Sequence, residues 1–348
     1  MLNIGVIGCG YWGPNLIRNF NQLNTCDVLI VADLSQDRLS HMKMLYPGIE
    51  ITKDYSMIIN NPDIHAVAIA TPVHTHYKFA SEALYAGKHI FVEKPLTASV
   101  EEAESLVALA DQFNRKLMVG HISEYTCAVR KMKEVIDSGE LGEIYYINSQ
   151  RLNLGLFQKD INVVWDLAPH DIAIVLYLLG QEPEAVSTMG ASHVNPSIED
   201  VAVLAMHFPG DLIALIQTSW LAPDKVHKTT VVGSRKMMVY DDTQPSEKIR
   251  IYDKGVEMLK HYDSFAESHY SYKYGDIVIH RIDGEEPLRT ELSHFVDAIR
   301  RDINPLSDGR SGLRVVKILE AAQRSLELGN NRVLIGEEAV DSPRESFA

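Results

Sequence analysis

The chain has 348 residues, enough for two compact domains with buried cores. Its 33 basic and 47 acidic residues leave a formal charge of −14, which excludes a broad phosphate-neutralising face for nucleic acid and argues against docking to an anionic membrane. A hydrophobic share of 46% with 23% charged residues excludes a disordered or fibrous chain, while three cysteines without paired spacing, Cys9, Cys26 and Cys127, point to reduced thiols and a cytoplasmic setting.

The start, Met1–Gly8, lacks the basic opening and small-residue cleavage site of a signal peptide and reads as a strand. Apolar runs such as Asp171–Gly180 fall short of the ~20 residues that a membrane helix needs, so a soluble protein is expected. Up to about residue 122, short β-branched runs alternate with longer amphipathic segments, the pattern of parallel strands joined by crossover helices. Predicted strands are Asn3–Ile7, Val28–Ala32, Ala66–Ala70, His89–Val92 and Leu117–Gly120; Ser99 and Glu102 form a capping-box start for one helix.

After the first strand, Gly8-Cys9-Gly10-Tyr11-Trp12-Gly13 fits G-x-G-x-x-G and leads into a helix beginning Pro14-Asn15-Leu16. The first glycine permits a tight turn, the second lets backbone approach a pyrophosphate, and the third lets helix pack on strand; the helix N-terminus favours the phosphates. A tight turn without a ligand is the plain alternative. Asp33 argues against it, since an acid closing the second strand 25 positions after Gly8 is placed to meet adenosine ribose hydroxyls, with a helix cap for the Ser35–Leu45 segment as its alternative. A carboxylate there repels a 2′-phosphate, so NAD is expected over NADP; Arg38, further along, works to relax that choice.

Ligands of open parallel sheets bind beyond the carboxyl ends of strands, and three such ends carry polar residues. In Thr71-Pro72-Val73-His74-Thr75-His76 the turn is placed to run along the dinucleotide, making Thr71, Pro72 and His76 candidate contacts; without a Cys or acidic partner at ligand spacing, no metal is expected. At Glu93-Lys94-Pro95, a desolvated ammonium would hydrogen-bond a substrate hydroxyl beside the nicotinamide, although an exposed ion pair has the same sequence. Gly120-His121 borders either the cleft or the core.

Beyond residue 122 the pattern changes. A helix at Val129–Ser138 ends in Gly139–Gly142, and then come strands at Ile144–Arg151, Ala185–Ser192, Val201–Phe208, Leu212–Trp220, Lys228–Val232 and Met237–Tyr240, implying an antiparallel sheet. Helices are predicted at Trp165–Leu179, Glu291–Arg301 and Leu313–Leu328, and the tail 341–348 is expected to be loosely ordered. The expected architecture is α/β: a doubly wound parallel sheet over residues 1–122, then an α+β domain over 123–348.

The glycine turn, Thr71-Pro72 and above all Glu93-Lys94-Pro95 resemble the glucose-fructose oxidoreductase and inositol dehydrogenase (Gfo/Idh/MocA) family. The likeness continues in order through Tyr125–Met132, Gly139–Ile144 and Asp166-Leu-Ala-Pro-His170-Asp171, covering roughly residues 2–330. It implies a Rossmann domain followed by an open-faced, mostly antiparallel sheet that makes homo-oligomer contacts, and NAD(P)-dependent oxidation or reduction of a sugar carbon. The family's active-site lysine, acid and histidine carry over to Lys94, Asp166 and His170. Residues four apart share a helical face, which suits His170 as general base and Asp166 as its orienting group or a hydroxyl ligand; a helix cap and a core histidine are the alternative.

Substrate contacts are expected from Lys94, Tyr125, Arg151, Asn153, Trp165, Asp166 and His170, with Gln158 and Lys159 nearby; Tyr11 and Trp12 join the cofactor set with Glu93 and His121. Gly-Tyr-Trp-Gly-Pro-Asn and the run Arg151-Leu-Asn-Leu-Gly155 followed by Trp165–Asp171 resemble the family branch tied to nucleotide sugars and surface polysaccharide, whose usual reaction resembles oxidation of a UDP-linked N-acetylated sugar at C3. An inositol or free-sugar dehydrogenase, an NAD-dependent glycosidase and a non-catalytic NAD-binding sensor are the alternatives. The net charge of −14 gives no attraction to UDP, so Arg151, Lys159 or helix N-termini would have to supply it.

Overall fold

The computed structural model describes residues 1–258 and 270–336. The tail expected to be loose, 341–348, lies outside the described residues. In the first half β1 (Leu2–Ile7), α1 (Gly13–Asn21), β2 (Cys26–Ala32), α2 (Gln36–Leu45), β3 (Glu50–Thr52), α3 (Ser56–Ile59), β4 (Ala66–Ile69), α4 (His76–Tyr85), β5 (His89–Glu93), α5 (Val100–Gln112) and β6 (Leu117–Gly120) follow one another. The strands pair in parallel in the order β3-β2-β1-β4-β5-β6. The order reverses between β1 and β4, which opens a crevice at their carboxyl ends. Strands buried on both faces explain the continuous apolar runs: Ile4 and Val6 face one layer and Val67 and Ile69 another, all fully buried.

Local chemistry starts the helices. Ser99 accepts the Glu102 N–H at 3.3 Å, as the capping box requires, but Glu102 reaches back to the Ala98 N–H rather than to that of Ser99. The helix α7 (Val163–Leu179) begins at Asn162, which accepts the Trp165 N–H, and stops at Gly180 with φ of 66°.

The second half contributes α6 (Cys127–Asp137), β7 (Ile144–Leu154), α7, β8 (Ala185–Ala191), β9 (Val201–His207), β10 (Ile213–Ser219), β11 (Leu221–Gly233), β12 (Met237–Asp241), β13 (Ile249–Met258) and β14 (Tyr270–His280). Then come α8 (Pro287–Arg301), α9 (Gly309–Glu327) and β15 (Val333–Leu334). Its sheet runs β14-β13-β12-β11-β7-β10-β9-β8-β15 and is antiparallel except for β7 on β10. One face packs α7 and α9 through Ile172, Val175, Leu204, Ile216 and Ile318.

Two helices from beyond residue 122 also pack on the first unit. Helix α8 returns to the parallel sheet, burying Leu288, Leu292, Phe295 and Val296 beside Phe20 and Phe91, and α9 lies against both α5 and α7. An apolar helical stripe announces burial but not the partner, so the sequence assigned both helices to the second unit. Strands β13 and β14 were also missed, although Tyr270, Tyr272 and Tyr274 alternate with polar residues in β14, which is exposed along nearly its whole length.

Candidate active site

The glycine turn follows β1 at the switch point. Gly8 has a φ of 99°, and a side chain there would strike the Ala70 carbonyl; a Cβ on Gly13 would lie 2.1 Å from the Gly8 oxygen. Gly10 differs, since its Cβ would meet nothing closer than Arg38 Nη1 at 4.0 Å. Packing therefore does not demand glycine at position 10, and the bare backbone leaves the room a pyrophosphate needs. Helix α1 starts without a side-chain cap at Trp12, so its first N–H groups face that space.

Asp33 is fixed by two backbone donors: Cys9 N–H reaches Oδ2 at 2.6 Å and Ser35 N–H reaches Oδ1 at 2.7 Å. Each oxygen retains a lone pair for a ribose hydroxyl. Arg38 approaches Asp33 at 3.8 Å from an exposed position. Tyr11 is exposed, with its ring edge-on to half-buried Trp12. These residues fit a bound dinucleotide with adenosine at Asp33 and phosphates over Gly10.

The loops after β4 and β5 are tied together by His76. Its Nδ1 lies 2.9 Å from the Pro95 carbonyl oxygen and its Nε2 2.8 Å from that of Thr71, and burial lowers its pKa. Expected as a cofactor contact, His76 is instead 1% exposed with both ring nitrogens committed to backbone, so it sets the spacing of Thr71-Pro72 and Glu93-Lys94-Pro95. The Lys94–Pro95 peptide is cis.

Lys94 meets the amino end of α7. Its Nζ donates to the Asp166 carbonyl at 2.7 Å and lies 3.8 Å from Asp166 Oδ1. Pro169 has no N–H for the Trp165 carbonyl, so the first turn of α7 is where helix bonding is already broken, next to the carbonyl that Lys94 engages. Desolvation lowers the Lys94 pKa against the opposing pull of Asp166 and Glu93. Trp220 donates its indole N–H to Asp166 Oδ2 at 3.0 Å and stacks at a tilt on Phe157. Sequence reasoning missed Trp220, and its position at the end of a predicted strand was the only signal.

One helical turn on, half-buried His170 is held well below its ordinary pKa by desolvation and by the charges of Lys94 and Arg151. Among the described residues none hydrogen-bonds its ring, so the neutral imidazole keeps its acceptor for a substrate proton. Burial also pushes the neighbouring Glu93 carboxyl up to about 7.

Three expected substrate or cofactor contacts are buried or already committed to other groups. Tyr125 is 1% exposed, with its hydroxyl 3.0 Å from His294 Nδ1 and 3.4 Å from Ser307 Oγ, so it belongs to the core and not to the substrate. His121 is fully buried. Arg151 borders the site, but Asp171 takes its Nε at 2.5 Å and also accepts from Ser149, so its charge is already answered. Asn153 is half-buried with an unpartnered Oδ1, while Lys159 is exposed. Beside the amino end of α7 opens a cleft of about 380 Å³ lined by Val73, Ala98, Asp160, Asn162, Trp165 and Glu199 among others. Among the described residues no cluster of metal-ligating side chains occurs and no helix is long and apolar enough to cross a membrane.

Comparison with known proteins adds the following. A model described as "Oxidoreductase family, NAD-binding Rossmann fold" (GFO_IDH_MocA) matches residues 2–121, and the GFO/IDH/MocA C-terminal domain matches residues 129–239. The oxidoreductase YrbE of Bacillus subtilis is 25% identical over 337 residues, covering 93% of this chain and 94% of its own length. The myo-inositol 2-dehydrogenase of Thermotoga maritima is 23% identical over 337 residues, covering 94% and 96%. The solved UDP-N-acetylglucosamine 3-dehydrogenase GnnA of Acidithiobacillus ferrooxidans shares the fold with a TM-score of 0.77 and 23% identity, over 94% of this chain and 98% of that one.

Proposed function

The chain belongs to the Gfo/Idh/MocA family of NAD-binding oxidoreductases that act on sugar or polyol hydroxyls, and from that premise we propose that it oxidises a ring hydroxyl, at C3, of a UDP-linked N-acetylated sugar to a ketone. The observation that carries a dehydrogenase reading is the meeting of Lys94 with the amino end of α7, one turn before a neutral His170. NAD, when bound, supplies the hydride acceptor. Lys94 Nζ binds the reacting hydroxyl and stabilises negative charge developing on its oxygen. The His170 imidazole, kept neutral and therefore free to accept by surroundings that disfavour its charged form, takes the hydroxyl proton. Asp166, gripped by Trp220, orients Lys94. A sensor without turnover would not need a neutral base and a desolvated ammonium together.

The nucleotide-sugar assignment is supported by the fold shared with GnnA and by the Trp165–Asp171 motif. One observation favours a second reading, a neutral polyol or free sugar: Arg151 is neutralised by Asp171, and Asp160 and Glu199 place carboxylates in the adjoining cleft, where a diphosphate would be repelled. NADH absorbance with UDP-N-acetylglucosamine and with myo-inositol separates them. Reduction with the nucleotide sugar alone supports the first reading, reduction with inositol alone the second, and reduction with neither under any sugar tested defeats both. Self-association is proposed through β14, whose Tyr272, Tyr274 and Ile277 side chains are exposed; a monomer in sedimentation would refute it.

A further inference from the structure

The nucleotide crevice lies at the carboxyl ends of the parallel strands, and a separate cavity of about 420 Å³ opens at their amino ends. Four of its lining residues are basic: His65 just before β4, Lys88 and His89 at the start of β5, and Arg115 just before β6. Among the described residues no acid lines it. In a chain of net charge −14 this is a marked local excess of positive charge.

The three loops that carry these residues are laced to one another. Lys88 is buried, and its Nζ donates to the Asn61 and Ile64 carbonyls, both at 2.7 Å. The His89 N–H donates to the His65 carbonyl at 3.0 Å, and Arg115 Nε donates to the Gly87 carbonyl at 2.6 Å. A Cβ on Gly87 would lie 3.7 Å from Arg115 Nη2, which sets the guanidinium over the turn before β5. The four residues therefore form one packed cluster.

The side chains on this lining offer donors and no acceptors. His65 Nδ1 accepts the Asn3 N–H and His89 Nδ1 accepts the Lys116 N–H, each at 3.0 Å, so in the neutral ring the proton sits on Nε2. Burial, helped by the charges of Arg115 and Lys116, lowers the His89 pKa to about 4 and keeps that ring neutral. Lys88 retains one ammonium proton beyond its two carbonyl bonds, and Arg115 Nη2 has no partner among the described residues.

Carbonyl bonds satisfy protons but leave both charges unanswered. Among the described residues no carboxylate oxygen lies within 4.0 Å of a Lys88 or Arg115 nitrogen; Asp302 is taken by Lys116 at 2.8 Å, and Asp63 pulls on Lys88 only from farther away. A helix end does not account for them either, since the carbonyls of Asn61, Ile64 and Gly87 lie outside α4. Cations drawn from water without a counter-charge are costly, and an anion in the cavity offsets that cost.

We propose that this cavity binds a small organic dianion, a phosphate monoester or a dicarboxylate, with Lys88 and Arg115 supplying charge and the Nε2–H groups of His65 and His89 donating to its oxygens. Two cations match two negative charges, and a donor-only lining disfavours neutral polyols, whose hydroxyl protons need acceptors. The volume exceeds what a bare phosphate fills and falls in the range of about 300–1,000 Å³ usual for small-molecule sites. Pro62, Ile64 and Ala86 give the carbon skeleton an apolar wall. The site lies at the opposite end of the sheet from Lys94 and stands whatever substrate the crevice takes.

The test uses the full chain saturated with NAD, so that the glycine turn is filled and contributes no anion signal. Protein labelled with nitrogen-15 histidine is titrated with phenyl phosphate and, separately, with succinate at about pH 8, where both are dianions. The Nε2 resonances of His65 and His89, assigned with His65→Gln and His89→Gln, should shift saturably with a dissociation constant of about 1 mM or below. Arg115→Ala should weaken that binding by about tenfold or more while leaving NAD affinity unchanged; Arg115→Gln, which keeps a donor for the Gly87 carbonyl, carries the same expectation if the alanine variant does not fold. Saturation by phenyl phosphate alone identifies the ligand as a phosphate ester, and by succinate alone as a dicarboxylate. No saturable shift with either up to about 20 mM, the same shift with sodium chloride at equal ionic strength, or parent affinity in the Arg115 variants would overturn the site.

Discussion

At the glycine-rich turn the groups offered to a ligand are backbone: the bare chain at Gly10, the uncapped N–H groups of α1, and a carboxylate, Asp33, whose oxygens are pinned by two more backbone N–H donors. Across the crevice the working groups are side chains withdrawn from water, Lys94, His170 and Glu93, each with its pKa displaced mainly by burial. The first region is a rigid shape whose electrostatics come from fixed dipoles. The second stores its chemistry in protonation states that respond to one another. Substitutions should therefore fail differently in the two: sterically at the turn, electrostatically in the crevice.

The largest effect should come from the crevice. Lys94→Met keeps the stem but removes the ammonium that faces Asp166, and kcat should fall about 10³-fold, about 4 kcal/mol, with NAD affinity within about threefold. Stopped-flow reduction and calorimetry of NAD binding measure the two. Equal losses in both would mean that Lys94 supports the cofactor and not the reacting oxygen.

Gly13→Ala is the steric counterpart. Its Cβ would lie 2.1 Å from the Gly8 carbonyl oxygen, so turn and helix must separate, at a cost of about 3 kcal/mol of stability. Denaturant unfolding should show that loss together with loss of NAD binding. Gly10→Ala, with open space around its Cβ, should leave stability nearly unchanged while weakening NAD. A matching drop in stability for both would contradict the division of roles.

Glu93 tests the electrostatic side through pH. Its carboxyl is raised from 4.5 to about 7, so the folded protein binds that proton more tightly than the unfolded chain. The resulting stabilisation is complete below about pH 4.5 and fades as pH rises through 7, amounting to about 3 kcal/mol at most. His170 acts oppositely: its pKa is lowered from 6.5, so the unfolded chain binds more protons and stability falls as pH drops below 6.5. Glu93→Gln should gain about 2 kcal/mol over the parent at pH 8 and retain the acid-side decline. Parallel stability curves for the two proteins would place Glu93 in a more solvated setting than its burial indicates.

Much of the turn was legible because its requirements are local. Gly8, Gly13 and Asp33 are defined by a strand, a turn and a strand end, all readable from periodicity and spacing. The crevice was legible only where a motif carried it: Lys94 and Asp166 lie 72 positions apart, and nothing in local pattern says that they touch. The partners that tune the site are hidden for the same reason. Trp220 reaches Asp166 from 54 residues away, and Asp171 cancels Arg151 across the α7–β7 packing. His76, Tyr125 and His121 show the converse error, polar residues beside a site that face inward.

Asp33 joins the two regions' logic, being a side chain held as rigidly as backbone. Asp33→Ser should lose about 1 kcal/mol of stability, since the Cys9 and Ser35 N–H groups lose their acceptors. Its effect on cofactor choice should be clearer. With the carboxylate gone, the repulsion of a 2′-phosphate disappears, and Arg38, now 3.8 Å from Asp33 and exposed, is left without its acidic neighbour beside Gly10. The ratio of NAD to NADP dissociation constants should shift toward NADP by about tenfold, and half of that shift or more should vanish at about 1 M salt, where an exposed guanidinium is screened. A shift that survives high salt would come from lost repulsion alone, and no shift would place the adenosine ribose away from Asp33. Because Arg38 lies outside the hydrogen-bonded turn, Arg38→Ala in the Asp33→Ser background should abolish the salt-sensitive part without altering stability.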